Sequence, residues 1–133
     1  MSDPALNVSG NGRVVPEDPL DPDVLASLRE LSQDGEPDLL AELVALFVED
    51  AEPRLAALRE AVGSGDAQGV ERTAHTLKGS AGNMGARRMS AIAADLQDAG
   101  ASGDLAAARP LLEKLKEEYD RVKPALEKLE EGG

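Results

Sequence analysis

A chain of 133 residues with a formal net charge of −12 has room for one domain and a modest core, and the sign of its charge works against nucleic acid and anionic membrane surfaces as partners. It has no cysteine, which excludes disulfides, thiolate nucleophiles and cysteine-held metals, and its single histidine excludes a multi-histidine metal site. Aromatic residues make up 2% and the apolar residues are chiefly Ala, Leu and Val, a composition that favours helices over sheet.

Residues 1–20 are rich in Asp, Pro, Gly, Asn and Ser and show no sustained periodicity, so they read as a disordered leader. No apolar run approaches the roughly 18 residues of a membrane span, and the N-terminus lacks the basic and apolar regions of a signal peptide. No membrane partner is therefore expected, and the cytoplasm is the default location. Asp21 and Pro22 form an N-cap followed by proline at the first helical position. Val24, Leu25, Leu28 and Leu31 continue as a short amphipathic helix that ends near Gly35.

Pro37 opens the second helix. Its apolar stripe runs through Leu39, Leu40, Leu43, Leu46, Phe47, Ala51, Leu55, Leu58 and Val62 to the break at Gly63-Ser64-Gly65. Pro53 lacks an N–H and crowds the preceding turn, but the stripe keeps its phase across it, which predicts one bent helix rather than two. Asp66 caps the third helix, where Val70, Ala74, Leu77, Ala81 and Met84 recur at core-facing spacing up to a turn at Asn83-Met84-Gly85. Met89, Ile92, Ala93, Leu96 and Ala99 face inward on the fourth, which stops at Gly100-Ala101-Ser102-Gly103.

Asp104 opens the last helix, with Leu105, Ala108, Leu111, Leu112, Leu115, Tyr119, Val122, Leu126 and Leu129 inward and bends expected at Pro110 and Pro124. Its outer face mixes Glu113, Lys114, Glu117 and Arg121, a solvated surface with weak ion pairs. Short connections make neighbouring helices antiparallel. The expected fold is all-α: an antiparallel up-down four-helix bundle with an additional short N-terminal helix, spanning residues 21–131. A monomer is the default.

On the third helix His75 points away from the apolar stripe, toward solvent. Glu71, Arg72, Lys78, Gly79 and Gly82 share its face. A glycine inside a helix costs about 1 kcal/mol against alanine, and two on the histidine's face point to close approach of another molecule. From Asp66 to Arg88 the cations Arg72, Lys78, Arg87 and Arg88 outnumber the anions Asp66 and Glu71, so the histidine sits in a basic island on an acidic chain. For Arg87 and Arg88, plain surface charge at a helix start is the better reading and partner contact the alternative.

The string His75-Thr76-Leu77-Lys78-Gly79-Ser80-Ala81, followed by Asn83 and Gly85, closely resembles the signature of histidine phosphotransfer (HPt) domains, the phosphoryl carriers of multistep two-component signalling. A looser likeness extends from about Asp21 to Leu129. The resemblance implies that His75 is the phosphoacceptor through Nε2, that Lys78 screens the phosphoryl charge, and that Gly79 clears access to it. It makes Gln97 a candidate for orienting the imidazole through Nδ1, with an ordinary exposed glutamine the equal alternative. Arg72, Gly79 and Gly82 become residues of access and docking; Gly82 stands where many members carry alanine.

The implied partners are a response-regulator receiver domain, whose acidic pocket holds Mg²⁺, and a hybrid sensor histidine kinase. The chain itself has no Gly-x-x-x-x-Gly-Lys-[Ser/Thr] loop, so no kinase activity, cofactor or metal of its own is expected. Neutral imidazole, with an unperturbed pKa of about 6.5, suits a nucleophile that takes and returns a phosphoryl group near neutral pH. Two other readings stay open. One is a non-phosphorylated helical adaptor that docks receiver domains. The other is a hydrolase with His75 as nucleophile or base, which would need a partner group and a pocket of several hundred Å³ beside it.

Overall fold

The computed structural model describes residues 6–8, 14–16, 19–33 and 38–132. Its helices are α1 (Pro22–Gln33), α2 (Asp38–Ser64), α3 (Ala67–Asn83), α4 (Arg87–Ser102) and α5 (Leu105–Gly132). Helices α2, α3, α4 and α5 each pack on the next, α5 closes back on α2, and α1 lies against α2. This is the expected antiparallel four-helix bundle with a short N-terminal helix. The boundary residues Gly35 and Pro37, and the side chains of Leu31 and Leu129, lie outside the described residues.

The leader departs from expectation. Strands β1 (Leu6–Val8) and β2 (Val14–Pro16) pair antiparallel, with Leu6 opposite Pro16, Asn7 opposite Val15 and Val8 opposite Val14, and β2 lies against α4. Strands of three residues are too short to carry an alternating pattern that a sequence reading can detect. The rest of residues 1–18 lies outside the described residues.

Local chemistry sets the helix ends. The Asp21 carboxylate accepts from Asp23 N at 2.9 Å, Asp66 from Gly69 N at 3.0 Å and Asp104 from Ala107 N at 3.0 Å, each taking up a donor that the helix leaves free. α2 continues unbroken through Pro53, and α5 through Pro110 and Pro124. All three prolines are exposed, so water can take the carbonyl that each leaves without an N–H. α4 runs past Gly100 to Ser102, and Gly103 is its left-handed cap. Gly100 is therefore not part of the stop: a Cβ there would lie 2.6 Å from Glu71 N and 2.9 Å from Ala67 O on α3.

The predicted stripe of α3 (Val70, Ala74, Leu77, Ala81, Met84) is buried throughout, as are Met89, Leu96, Leu115, Tyr119, Val122 and Leu126. Leu46 is the exception, 62% exposed. The buried line of α2 passes through Leu40, Val44, Phe47, Ala51 and Leu55; Leu46 precedes Phe47 by one residue and so stands about 100° off that line. α2 is tied to α5 by Tyr119 Oη, which donates to Glu52 Oε2 at 2.8 Å, by Lys123 Nζ to the same oxygen at 3.0 Å, and by the Phe47 and Tyr119 rings, 6.3 Å apart.

Arg88, counted from sequence among the cations around His75, instead points to α5. Its Nε lies 3.2 Å from the buried Glu118 carboxylate, which Arg121 approaches at 3.4 Å. Burial pushes the Glu118 carboxyl above the ordinary carboxylate range, against the opposing pull of Arg88 and Arg121. An acid whose folded pKa is raised binds its proton more readily folded than unfolded, so a fall in pH through that range favours the folded state. Arg88→Met strands the carboxylate and should destabilise the bundle by about 3 kcal/mol at neutral pH. The deficit should shrink as the pH is lowered, because a carboxyl pushed up by burial takes its proton before an ordinary one does; urea titrations of variant and wild type at neutral and at mildly acidic pH measure this. Gly100→Ala should cost about 2 kcal/mol or more by forcing α4 away from α3, read in the same titrations.

Candidate functional site

The phase of α3 decides what faces solvent. With the Asp66 cap fixing its start and Val70, Ala74, Leu77 and Ala81 buried, position 75 is turned outward. His75 is exposed, as are Arg72, Gly79 and Gly82, while Glu71 and Lys78 are half-buried. The structure thus brings His75, Lys78, Arg72, Gly79 and Gly82 onto one outer face, as expected. One turn beyond the histidine, Ser90 Oγ on α4 donates to the Lys78 carbonyl at 2.9 Å, which staples the two helices beside the site.

That bond and the contact of Gly100 with Glu71 set the register of the antiparallel pair. Ser90, Ala94 and Gln97, at spacings of four and three, then form the edge of α4 that borders the histidine's face. Gln97 is half-buried and stands about one turn below His75, nearer the start of α3. Helical side chains lean toward the N-terminus of their own helix, and these helices run in opposite directions, so the two side chains lean toward each other. Among the described residues no hydrogen bond joins them.

The glycines divide into two classes. A Cβ on Gly85 would lie 2.8 Å from Val24 Cβ, and its φ of +76° suits only glycine well; at Gly100 it would strike the backbone of α3. Packing demands both. At Gly79 an added Cβ meets nothing within 4 Å, and at Gly82 only Ser90 Oγ at 3.7 Å. Among the described residues nothing in the packing requires either glycine, and the space they leave faces outward.

An open groove with a volume of about 440 Å³ runs from Lys78 and Gly82 across Gly85 to Arg87, Ser90, Ala91 and Ala94, with Val24 of α1 as its far wall. His75 stands below its lower end. The ionisable side chains of its wall are Lys78 and Arg87, and the Ser90 hydroxyl is engaged by the Lys78 carbonyl. Arg87 Nη2 lies 2.6 Å from Asp21 Oδ2. A hydrolase built on His75 would need an acid or base facing the bound group; this groove supplies cations in place of either. Among the described residues no group of three or more His, Cys, Asp or Glu side chains is placed to hold a metal ion, and no helix is long and apolar enough to cross a membrane.

Arg87 and Val24 are groove residues that sequence reasoning did not assign. The signal for Arg87 was available: a cation in the first turn of a helix opposes the helix dipole, which asks for a local reason.

In sequence and in fold the chain is similar to known phosphotransfer proteins. A family profile described as Hpt domain matches residues 42–125. The chain is 27% identical over 108 residues to histidine-containing phosphotransfer protein 2 of Arabidopsis thaliana, covering 79% of this chain and 69% of that one. Over its fold it is similar to the crystal structure of histidine-containing phosphotransfer protein B from Pseudomonas aeruginosa PAO1, with a TM-score of 0.78, 34% identity and coverage of 88% of this chain and 98% of that one. Histidine-containing phosphotransfer protein MtHPt2 of Medicago truncatula matches with a TM-score of 0.76 at 26% identity, over 87% of this chain and 82% of that one. The chain belongs to the Hpt domain family, and its role is that of a phosphorelay carrier.

Proposed function

We propose that His75 is the residue that carries the phosphoryl group, taking it from or returning it to an aspartate of a response-regulator receiver domain. The observation that carries this reading is the exposed imidazole on the outer face of α3, with Lys78 one turn on and unfilled space over Gly79. In the forward step the Nε2 lone pair attacks phosphorus while the bond to the aspartyl oxygen breaks; Nδ1 keeps its proton. In this reading Gln97, on the edge of α4 that borders the histidine's face, accepts from Nδ1–H and holds the ring. Lys78 meets the phosphoryl oxygens, and the loose transition state is served by positioning and charge rather than by a pocket.

Arg72, Gly79 and Gly82 border the path by which the partner approaches. Mg²⁺ belongs to the receiver's acidic pocket, and ATP chemistry to a hybrid sensor histidine kinase; the carrier needs neither a cofactor nor a metal of its own. It works as a monomer in the cytoplasm.

The test is phosphotransfer from a panel of phosphorylated receiver domains to the wild-type chain and to His75→Gln, scoring acid-labile, base-stable label on the small chain. Label on the wild type alone is expected. Binding of a receiver without label would favour the docking adaptor instead. Lys78→Ala should slow transfer about tenfold or more with an unchanged circular dichroism spectrum. Gly79→Ala should separate fold from function: alanine should raise stability by about 1 kcal/mol, visible in thermal melts, while its methyl group slows transfer from the receiver.

A further inference from the structure

Arg87 occupies an unfavourable place for a cation. It is the first residue of α4, whose N-cap, Ala86, offers no side-chain hydrogen bond, so the guanidinium adds positive charge at the positive end of a helix dipole. Its neighbour Arg88 is accounted for by the buried Glu118. Arg87 is held differently: Asp21, buried at the start of α1, pairs with it at 2.6 Å, while the arginine side chain stays 61% exposed. Asp21 is itself anchored, its N–H donating to Gly85 O at 2.6 Å and its other carboxylate oxygen accepting from Asp23 N at 2.9 Å.

The guanidinium is therefore paired at one end with a buried carboxylate, and the rest of its fork is open over the groove that begins at Lys78. The ion pair holds α1 in place, but it leaves most of the guanidinium turned to solvent at the positive end of a helix, the kind of local departure found at functional sites. We propose that Arg87, oriented by Asp21, is the second cation of the phosphotransfer site, a positioning residue that sets how tightly the carboxylate-rich face of a receiver domain docks beside His75. This rests on the reading of His75 as carrier.

The physical need is plain. A chain with a net charge of −12 must approach a partner whose reacting group is an aspartyl phosphate among carboxylates. Lys78 alone meets the phosphoryl group; a fixed guanidinium on the rim can meet a carboxylate in two-point fashion, with less side-chain freedom to lose than a lysine has. Val24, set against Gly85 by the same anchoring of α1, supplies the apolar wall. Through Asp21, then, α1 takes part in docking.

The test measures phosphotransfer against receiver concentration and salt, using a phosphorylated receiver that labels the wild-type chain. Arg87→Ala by itself would leave Asp21 buried and unpaired, so the decisive variant is Asp21→Asn/Arg87→Ala, in which asparagine keeps the cap. We expect KM for the receiver to rise roughly three- to tenfold, kcat to change less than twofold, and the salt dependence of kcat/KM to flatten. Arg87→Lys should recover part of the KM. Lys116→Ala, which removes a cation from the α2–α5 side of the bundle, should leave KM unaltered.

An unchanged KM and salt slope in the double variant, or an equal shift in Lys116→Ala, overturns the proposal while His75 stands as carrier. A fall in kcat at constant KM also overturns it, since Arg87 would then act on the reacting group and not on docking. If no receiver labels or binds the wild type, the carrier reading fails and this inference with it.

Discussion

The site depends on how closely α3 and α4 lie. At Gly100 the missing Cβ lets the backbone of α4 come against Ala67 and Glu71 of α3, closer than any side chain would allow. Two turns further up, Ser90 reaches the Lys78 carbonyl. With the pair fixed at both levels, the edge formed by Ser90, Ala94 and Gln97 stands beside His75 at a set height, and the groove above it has rigid walls. A looser pair would leave His75 on the surface but lose the register that brings α4 to its side. Helix-borne groups held in this way are placed more accurately than groups on loops.

The first turn of α4 is the second point of organisation. Arg87 and Arg88 follow Gly85 and the N-cap Ala86, and each is matched to a buried carboxylate on a different element: Asp21 on the way into α1 and Glu118 on α5. Two cations at a helix start are unfavourable for the dipole, and two buried acids are unfavourable for solvation. Together they neutralise each other and fasten the two flanking helices to the α3–α4 turn. Such pairs add little net stability over apolar packing; what they specify is which element sits where. Here they put α1, and with it Val24, at the mouth of the groove.

The helices were legible in the sequence because their signals are local and repeated. Asp21, Asp66 and Asp104 mark starts, and the stripes of α3 and α5 keep a helical period over many turns, so each residue reinforces its neighbours. His75 was legible for the same reason: once the stripe is placed, its outward direction follows from 100° per residue. What was not legible depends on a second element. Leu46 belongs to an apolar-looking run, yet only the position of α5 and α3 around α2 shows that the buried line runs through Val44 and Phe47 and leaves it outside. Arg88 and Arg87 are adjacent and chemically identical, and nothing in the string says that one turns toward Glu118 and the other toward Asp21. The β1–β2 ribbon leaves no period to read.

The glycines carry the sharpest distinction between what the fold requires and what the reaction requires. By helical propensity alone Gly79, Gly82 and Gly100 are alike, each a loss of roughly 1 kcal/mol against alanine where helix continues, and Gly85 reads as a turn. The structure separates them by asking what a methyl group would touch. At Gly85 and Gly100 it would strike the chain's own atoms, so the lost propensity is returned by packing. At Gly79 it would touch nothing among the described residues, and their packing returns none of the loss. A protein that keeps such a residue on the exposed face of a buried-core helix, one turn from its only histidine, is giving up stability for clearance outside itself. That clearance has meaning only if another molecule comes within van der Waals reach of α3 at the histidine, which is what a carrier that exchanges its group directly with other proteins demands.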